Sequence, residues 1–246
     1  MPLERPPISI LQDASLFLDF DGTLIELAPT PGGIEVGDEV RALLTRLQQK
    51  MDGRVALLSG RAVADLRQHV HPVNLAIGGR HGLERMLANG QVEATDPPAG
   101  LPAAIREFRR VGAQHPGVLV EEKPAGVALH YRNAPNAEGI CHRTAQRVAG
   151  MTGLQVQLGN MVVELKDSAG DKGQALAKFM AEPPFEGTRP VFLGDDLTDE
   201  HAFAAARLMG GVGVLVGPER STAATFRLED VGDACRWLEQ ACGELE

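Results

Sequence analysis

The segment from Ala14 to Phe20 is the feature that most restricts how this chain can fold. It is almost wholly apolar, which is typical of a strand buried on both faces of a parallel sheet. Two carboxylates at its end, Asp19 and Asp21, precede Gly22, a residue that favours a tight turn. Such a pair can also lie on a surface or cap a helix. Because open parallel sheets bind ligands at the carboxyl ends of their strands, we expect an α/β fold with an acidic site there.

A second apolar segment, residues 54 to 58, predicts a strand that ends at a phosphate-binding turn. Ser59, Gly60 and Arg61 follow it, ahead of a helix indicated by apolar residues at helical spacing. A serine hydroxyl and helix-terminal amides can bind phosphate, although Ser59 can also be a simple helix cap. Lys172 opens a later predicted helix, where it can neutralise anionic oxygens or extend into solvent.

Four acids follow the next predicted strand within six residues: Asp195, Asp196, Asp199 and Glu200. Like charges at this density repel one another unless a cation gathers some of them, and carboxylate oxygens suit Mg²⁺. If Thr198 caps the following helix, Asp199 and Glu200 favour the positive end of that helix. This alternative does not account for Asp195 and Asp196.

Composition excludes several classes of protein. The net charge of -9 over 246 residues argues against nucleic acid and anionic membranes as partners. The three cysteines, Cys141, Cys235 and Cys242, lack metal-ligand spacing, and we expect them to be reduced. With no apolar run of about 18 residues and no export signal, we expect a cytoplasmic enzyme, and a monomer.

The interval between the serine and lysine segments is too long for one crossover connection and predicts an insertion. Residues 96 to 100 have the composition of a linker. Beyond them the pattern reads helix, two strands, helix, two strands, which describes helices on one side of an antiparallel sheet. We therefore expect a Rossmann-like core with a mostly parallel sheet from residues 1–97 and 168–246. Residues 98–167 would form a smaller α+β cap domain over the site.

Strand periodicity gives the inserted sheet one polar face. Glu121 and Lys123 point the same way, and His130 and Arg132 are predicted to do likewise on the next strand. Such a face can bind many hydroxyl groups, or it can be an ordinary solvated surface. A cap that closes would exclude water and add contacts remote from the reacting atoms.

Four motifs occur in one order: Asp-x-Asp-Gly-Thr, Ser, Lys and Gly-Asp-Asp-x-x-Asp. In this the chain resembles the haloacid dehalogenase (HAD) superfamily of phosphotransferases, with a C2-type cap. The resemblance implies that Asp19 is the nucleophile, forming an aspartyl-phosphate, and that Asp21 is the general acid and base. It also implies Mg²⁺ bound by Asp19, the backbone carbonyl of Asp21 and Asp195, with Asp199 or Asp196 supporting through water. Ser59 and Lys172 would hold the phosphoryl oxygens.

Over nearly the whole chain the resemblance narrows to the trehalose-6-phosphate phosphatases. It is carried by residues 79–84, 121–123, 130–132 and 163–165, beside the four motifs. It implies that cap residues contact the disaccharide, although His81 can equally be a core histidine and Arg132 a surface ion pair. The predicted substrate-binding residues are Ser59, Gly60, Arg61, His81, Glu121, Lys123, Arg132, Glu164 and Asp196.

Three alternatives share this chemistry or this site. A phosphatase for sucrose phosphate or a glycosyl-phosphoglycerate has the same core and differs in the cap. A phosphohexomutase must keep its phosphoryl-enzyme away from water. A non-catalytic sugar-phosphate sensor would bind Mg²⁺ with the same acids and lysine without turnover.

Overall fold

The structure is a computed structural model that describes residues 3–27, 34, 36–87, 89–94, 98–123, 125–166 and 171–245. Its contacts divide the chain into a core unit, Met1–Ala94 with Asp171–Glu246, and an inserted unit, Thr95–Gly170. The domain boundaries predicted after residues 97 and 167 adjoin residues outside this description. The predicted linker at 96–100 also lies partly outside it.

The described residues form twelve strands and seven α-helices. The strands are β1 (Ala14–Leu18), β2 (Val55–Leu58), β3 (Ala76–Gly79), β4 (Glu84–Met86), β5 (Val92–Ala94), β6 (Leu119–Lys123), β7 (Gly126–His130), β8 (Gln155–Gly159), β9 (Val162–Lys166), β10 (Arg189–Gly194), β11 (Val212–Val216) and β12 (Phe226–Leu228). The helices are α1 (Asp38–Lys50), α2 (Val63–Val70), α3 (Leu101–Gln114), α4 (Glu138–Thr152), α5 (Lys172–Met180), α6 (Glu200–Leu208) and α7 (Val231–Glu244). None of these helices combines the length and the apolar character that crossing a membrane requires.

The core unit contains an eight-stranded sheet in the order β12-β11-β10-β1-β2-β3-β4-β5. The first six strands in this order are parallel, and β4 and β5 are added antiparallel at one edge. This confirms the predicted α/β class with a mostly parallel sheet. Because β10, β1 and β2 are neighbours, the residues that follow them emerge side by side at one edge of the sheet.

Alternation along β1 divides the core of this unit into two layers. Leu16 and Leu18 belong to a buried cluster that includes residues of α1, α2 and α7. Phe17 points to the opposite face of the sheet and belongs to a cluster with residues of α5 and α6. All five residues of β1 are buried, as expected for a strand covered by helices on both faces.

The inserted unit is a four-stranded antiparallel sheet in the order β6-β7-β9-β8. The side chains of α3 and α4 pack with Val127, Leu129, Val163 and Leu165 on one face of it. The predicted antiparallel sheet with helices on one side is therefore confirmed. One strand is shorter than predicted, since β7 ends at His130 and Arg132 lies in the turn that follows.

Replacing Phe108 with alanine should destabilise the inserted unit. The Phe108 side chain is fully buried in the cluster between α3 and the sheet, so its loss leaves a cavity. We expect the free energy of unfolding to fall by about 3–5 kcal/mol, measured by urea denaturation followed by circular dichroism. Met151→Ala is the matched control, because Met151 is 72% exposed in the same unit, and its effect should stay within about 0.5 kcal/mol.

Candidate active site

One ammonium and three carboxylates meet where β1 and β10 end. Lys172 Nζ lies 2.7 Å from Asp19 Oδ1 and 2.6 Å from Asp199 Oδ1. Asp19 is 4% exposed, Lys172 3% and Asp199 0%, so these three residues are almost withdrawn from water. Asp195 completes a group whose carboxylate oxygens all lie within 4.8 Å of one another. Lys172, the first residue of α5, is therefore a buried counter-ion and not a solvated surface lysine.

The cluster has more negative than positive groups, and the titration of its members reflects this. Burial and the nearby charge of Asp199 raise the pKa of Asp19 well above its usual value, although Lys172 opposes the shift. Burial, with the charge of Asp199, also raises the pKa of Asp195. For Lys172 burial alone would lower the pKa, but the charges of Asp19 and Asp199 outweigh it and raise that pKa. The site therefore favours the arrival of another positive charge.

Backbone contacts fix the two loops that carry these acids. The amide of Asp19 donates to the carbonyl of Leu193 at 2.9 Å, which continues the β1–β10 pairing by one residue. Gly22 has φ of +79°, and a Cβ atom there would lie 2.2 Å from Asp195 Oδ2. Thr23 Oγ1 donates to Asp195 Oδ1 at 3.4 Å. Glycine is thus required both by the turn and by the approach of the Asp195 carboxylate.

Asp196 and Asp199 form the cap of the short 3₁₀ turn that precedes α6. The Asp196 carboxylate accepts from the amide of Leu197, and Asp199 Oδ2 accepts from the amide of Asp196 at 2.9 Å. The prediction that Thr198 caps the following helix is wrong, because the cap position of α6 is Asp199 and Thr198 lies inside the preceding turn. Asp196 is exposed, whereas Asp199 lies in the buried cluster.

A guanidinium fork holds the second carboxylate of the first motif. Arg61 Nε donates to Asp21 Oδ2 at 2.6 Å, and Arg61 Nη2 donates to Asp21 Oδ1 at 2.8 Å. Arg61 also pairs with Asp65 on α2 at 3.0 Å. The hydrogen bonds that Arg61 donates to Asp21 raise the pKa of Arg61. The sequence predicts that Arg61 binds substrate. Its partners within the core unit include Asp21 and Asp65, and a contact with substrate stays a prediction.

The Ser59 turn is braced by the loop between β3 and β4. Ser59 is 1% exposed, its hydroxyl accepts from the amide of Arg61 at 3.2 Å, and its carbonyl accepts from the amide of His81 at 3.0 Å. His81 adopts a left-handed conformation with φ of 57°, and its Nε2 would lie 2.7 Å from a Cβ atom on Gly60. Ser59 is not the cap of α2, because that position is Ala62. His81, Ser59 and Gly60 therefore share one packed corner of the site.

Two residues that the sequence reasoning missed also support this region. Glu84 Oε2 accepts from the amide of Val63 at 3.0 Å and so provides a hydrogen-bond partner for one amide in the first turn of α2. Arg220, from the connection between β11 and β12, donates to the backbone carbonyls of Asp195 and Asp196. Glu84 belongs to the 79–84 segment, but no pattern in the sequence marks Arg220.

In the inserted unit, four polar side chains contact one another on the sheet face opposite the helices: Glu121, Lys123, His130 and Glu164. Lys123 Nζ lies 2.7 Å from Glu164 Oε2 and 3.9 Å from Glu121 Oε2. His130 Nε2 lies 2.7 Å from the same Glu121 oxygen. Register explains the grouping, since Glu121 pairs with Ala128 and Ala128 with Glu164. Arg132 is exposed in the turn after β7 and is not a member of this group of four.

The residues of the core site fit a hard divalent cation such as Mg²⁺. The donor atoms of Asp19, Asp195 and Asp199 are carboxylate oxygens, the ligand type that Mg²⁺ prefers. Room for Asp195 exists only because position 22 has no side chain. Both oxygens of Asp199 already accept hydrogen bonds, from Lys172 and from the Asp196 amide. Asp19 and Asp195 are consequently the better candidates for direct contact with the metal.

Comparisons with known proteins agree with one another. A model of the family described as trehalose-phosphatase matches residues 17–231. The trehalose-6-phosphate phosphatase of Escherichia coli (strain K12) is 40% identical over 232 residues, which cover 94% of this chain and 87% of that protein. A probable trehalose-phosphate phosphatase of Sinorhizobium fredii is 37% identical over 210 residues, covering 85% and 79%. These matches extend over both units.

Solved structures resemble this one over nearly its full length. A trehalose-6-phosphate phosphatase from Aspergillus fumigatus (crystal form 3) has a TM-score of 0.81 at 21% identity, covering 98% of this chain and 99% of that one. A haloacid dehalogenase-like hydrolase from Bacteroides thetaiotaomicron has a TM-score of 0.68 at 14% identity, covering 92% and 98%. At these identities the likeness shows the fold, which is the capped HAD fold expected from the motifs.

Removing the ammonium from the acidic cluster should destabilise the metal-free protein. Lys172→Met leaves buried carboxylates without their counter-ion, and we expect a loss of about 3–5 kcal/mol in the free energy of unfolding at pH 8. Because the pKa of Asp19 is raised on folding, its protonated form favours the folded state at low pH, and this contribution is lost as pH rises through the folded pKa. The decrease in the free energy of unfolding caused by Lys172→Met should therefore be smaller at pH 5, where more of Asp19 is protonated and needs no counter-ion.

Urea denaturation with a chelator at both pH values measures this effect. Lys178→Met is the matched control, since Lys178 is an exposed lysine on the same helix. An equal loss for the two variants, or a loss independent of pH, would contradict the role of Lys172 as the counter-ion.

Proposed function

Because the chain belongs to the trehalose-phosphatase family, whose members are phosphomonoester hydrolases, we propose that it hydrolyses trehalose 6-phosphate to trehalose and inorganic phosphate. The observation that carries the chemistry is the buried contact between Asp19 and Lys172 at the end of β1. A carboxylate held by a fixed cation is positioned to attack phosphorus, since its orientation is set before substrate arrives.

In the first step an oxygen of Asp19 forms a bond to phosphorus, and the bond between phosphorus and the sugar oxygen breaks. Asp21 gives a proton to the departing oxygen, so that trehalose leaves as a neutral alcohol. The product on the enzyme is an aspartyl-phosphate at Asp19. The Ser59 hydroxyl and Lys172 would donate hydrogen bonds to the phosphoryl oxygens and offset their negative charge.

In the second step water attacks the phosphorus atom of the aspartyl-phosphate. Asp21, now a carboxylate, takes a proton from that water, and the bond between phosphorus and Asp19 breaks. Inorganic phosphate leaves and both aspartates return to their starting forms. When bound, Mg²⁺ offsets the negative charge of the phosphoryl oxygens; Asp19, Asp195 and the carbonyl of Asp21 would hold it, with Asp199 supporting.

Asp21 has to change partners during this cycle. Both of its carboxylate oxygens accept hydrogen bonds from Arg61, so neither is free to serve the leaving oxygen in this arrangement. Substrate binding would draw at least one oxygen of Asp21 away from the guanidinium. Arg61, with Asp65 as its second partner, would remain beside the site and could then contact the phosphate.

The polar face of the inserted unit supports a sugar as the leaving group. Glu121, Lys123 and Glu164 offer acceptors and donors on one surface, and a disaccharide presents many hydroxyls to such groups. These residues hold one another in place with ion pairs, so that less side-chain entropy is lost on binding. His81, Arg132 and Asp196 remain predicted substrate contacts, and the cytoplasmic location and monomeric state remain predictions.

Asp19→Asn should abolish turnover, because a neutral amide cannot act as the nucleophile. We expect phosphate release from trehalose 6-phosphate with Mg²⁺ to fall at least about 1000-fold. Asp13→Asn is the control, since Asp13 is exposed at the opposite end of the same strand. Substantial phosphate release by the Asp19 variant would exclude the covalent mechanism.

A pair of adjacent glutamates tests the sugar-binding face. Glu121 lies on the polar face of β6, whereas Glu122 points to the other face and pairs with Arg109. Glu121→Gln should lower kcat/KM for trehalose 6-phosphate by about 10- to 100-fold and leave hydrolysis of an aryl phosphate unchanged. Glu122→Gln should affect neither substrate.

Wild type and both variants are assayed on trehalose 6-phosphate, sucrose 6-phosphate and an aryl phosphate. Preference of the wild-type protein for sucrose 6-phosphate would show that its substrate is another sugar phosphate. If Glu121→Gln lowered kcat/KM equally for trehalose 6-phosphate and for the aryl phosphate, this face would not select the leaving group.

A further inference from the structure

Arg220 clamps the loop that carries the metal-binding acids. It lies in the connection between β11 and β12, and its Nη2 donates to the carbonyl of Asp196 at 2.8 Å and to that of Asp195 at 3.3 Å. Both carbonyls lie beyond the end of β10, so the hydrogen bonds of the sheet do not fix them. Arg220 therefore supplies an anchor at the point where the acidic loop leaves the sheet.

The guanidinium is itself held from the other side. Arg220 Nη1 pairs with Glu200, the first residue of α6. The second oxygen of Glu200 accepts from the amide of Ala223 at 2.7 Å. The side chains of Arg220 and Glu200 are only 22% and 26% exposed, so the pair is partly shielded from water.

Asp195 is held from two sides, through its backbone carbonyl and through its carboxylate. The carbonyl of Asp195 is held on the Arg220 side, while its carboxylate meets Thr23 and the acids of the cluster. The contact with Arg220 sets the backbone position from which the Asp195 side chain extends, and the hydrogen bond from Thr23 orients its carboxylate. Mg²⁺ needs near-ideal ligand geometry, so an acid that is already aimed should bind it more tightly than one that must be ordered.

We propose that Arg220, anchored by Glu200, is a positioning residue that holds Asp195 in place for a divalent cation. This inference rests on the metal site of the proposed function. Electrostatics alone predicts the opposite effect of Arg220, because a guanidinium near the site repels a cation. The two effects have opposite signs in a variant without the charge: loss of the clamp weakens metal binding, whereas loss of the repulsion strengthens it.

Calorimetric titration of Mg²⁺ into the metal-free protein measures the balance. We expect Arg220→Met to raise the dissociation constant of Mg²⁺ about 5- to 20-fold, less than the full strength of the lost hydrogen bonds, because Thr23 still contacts the Asp195 carboxylate. Arg220→Gln, which keeps an amide donor, is the second variant if the first does not fold, and the same direction is expected. Arg189→Met is the control, since Arg189 lies at the other end of β10 and donates to the carbonyl of Gln12 at 3.1 Å.

Activity gives a second readout that general destabilisation would not move. The Mg²⁺ concentration for half-maximal phosphate release should rise by the same factor in Arg220→Met, with kcat at saturating Mg²⁺ within about threefold of wild type. Unchanged or tighter Mg²⁺ binding in the Arg220 variants would overturn the positioning role alone. If wild type itself binds no Mg²⁺, or if Asp195→Asn binds it as tightly as wild type, the metal site and this inference both fail.

Discussion

The contact of Lys172 with Asp19 and Asp199 is the interaction on which the rest of the site depends. Two carboxylates buried this deeply would be unstable together without a cation between them. Lysine at the first position of α5 supplies that cation and ties the ends of β1 and β10 to one helix. One positive charge does not offset all three acids of the cluster, however, and the remaining negative charge favours the binding of a further cation.

The sheet topology explains why these groups meet. Parallel pairing of β1 with β2 and β10 sends the loops after all three strands to the same edge. Around the acids lies a second set of contacts made by neighbouring loops: Arg61 on Asp21, His81 against Gly60, and Arg220 on the acidic loop. The strands bring the acids together, and these contacts hold the loops that carry them.

The sequence predicts the strands and the acids at their ends because an apolar run closed by charged residues is compatible with few structures besides a buried strand. The residues that contact those acids are harder to predict from the sequence. That Lys172 bridges two aspartates depends on how α5 packs against the sheet, which no local pattern encodes. Arg220 is one arginine in a polar connection, and β7 ends at His130 for reasons of strand pairing that periodicity does not show. Contacts between distant segments are therefore missed by sequence reasoning, whereas residues that belong to a motif are found by it.

The order of strands in the core also affects how the chain folds during its synthesis. β1 lies between β2 and β10, and β10 is encoded long after the other two. At ribosomal speeds of about 5–20 residues per second, β1 waits on the order of 10 to 30 s for its second neighbour. Asp19 lacks Lys172 over most of that time. The inserted unit, by contrast, is contiguous in sequence and has its own buried cluster, so its core can close during the delay. A nascent chain would therefore expose an unfinished sheet edge and an uncompensated acid, and this interval is when chaperones would matter most to it.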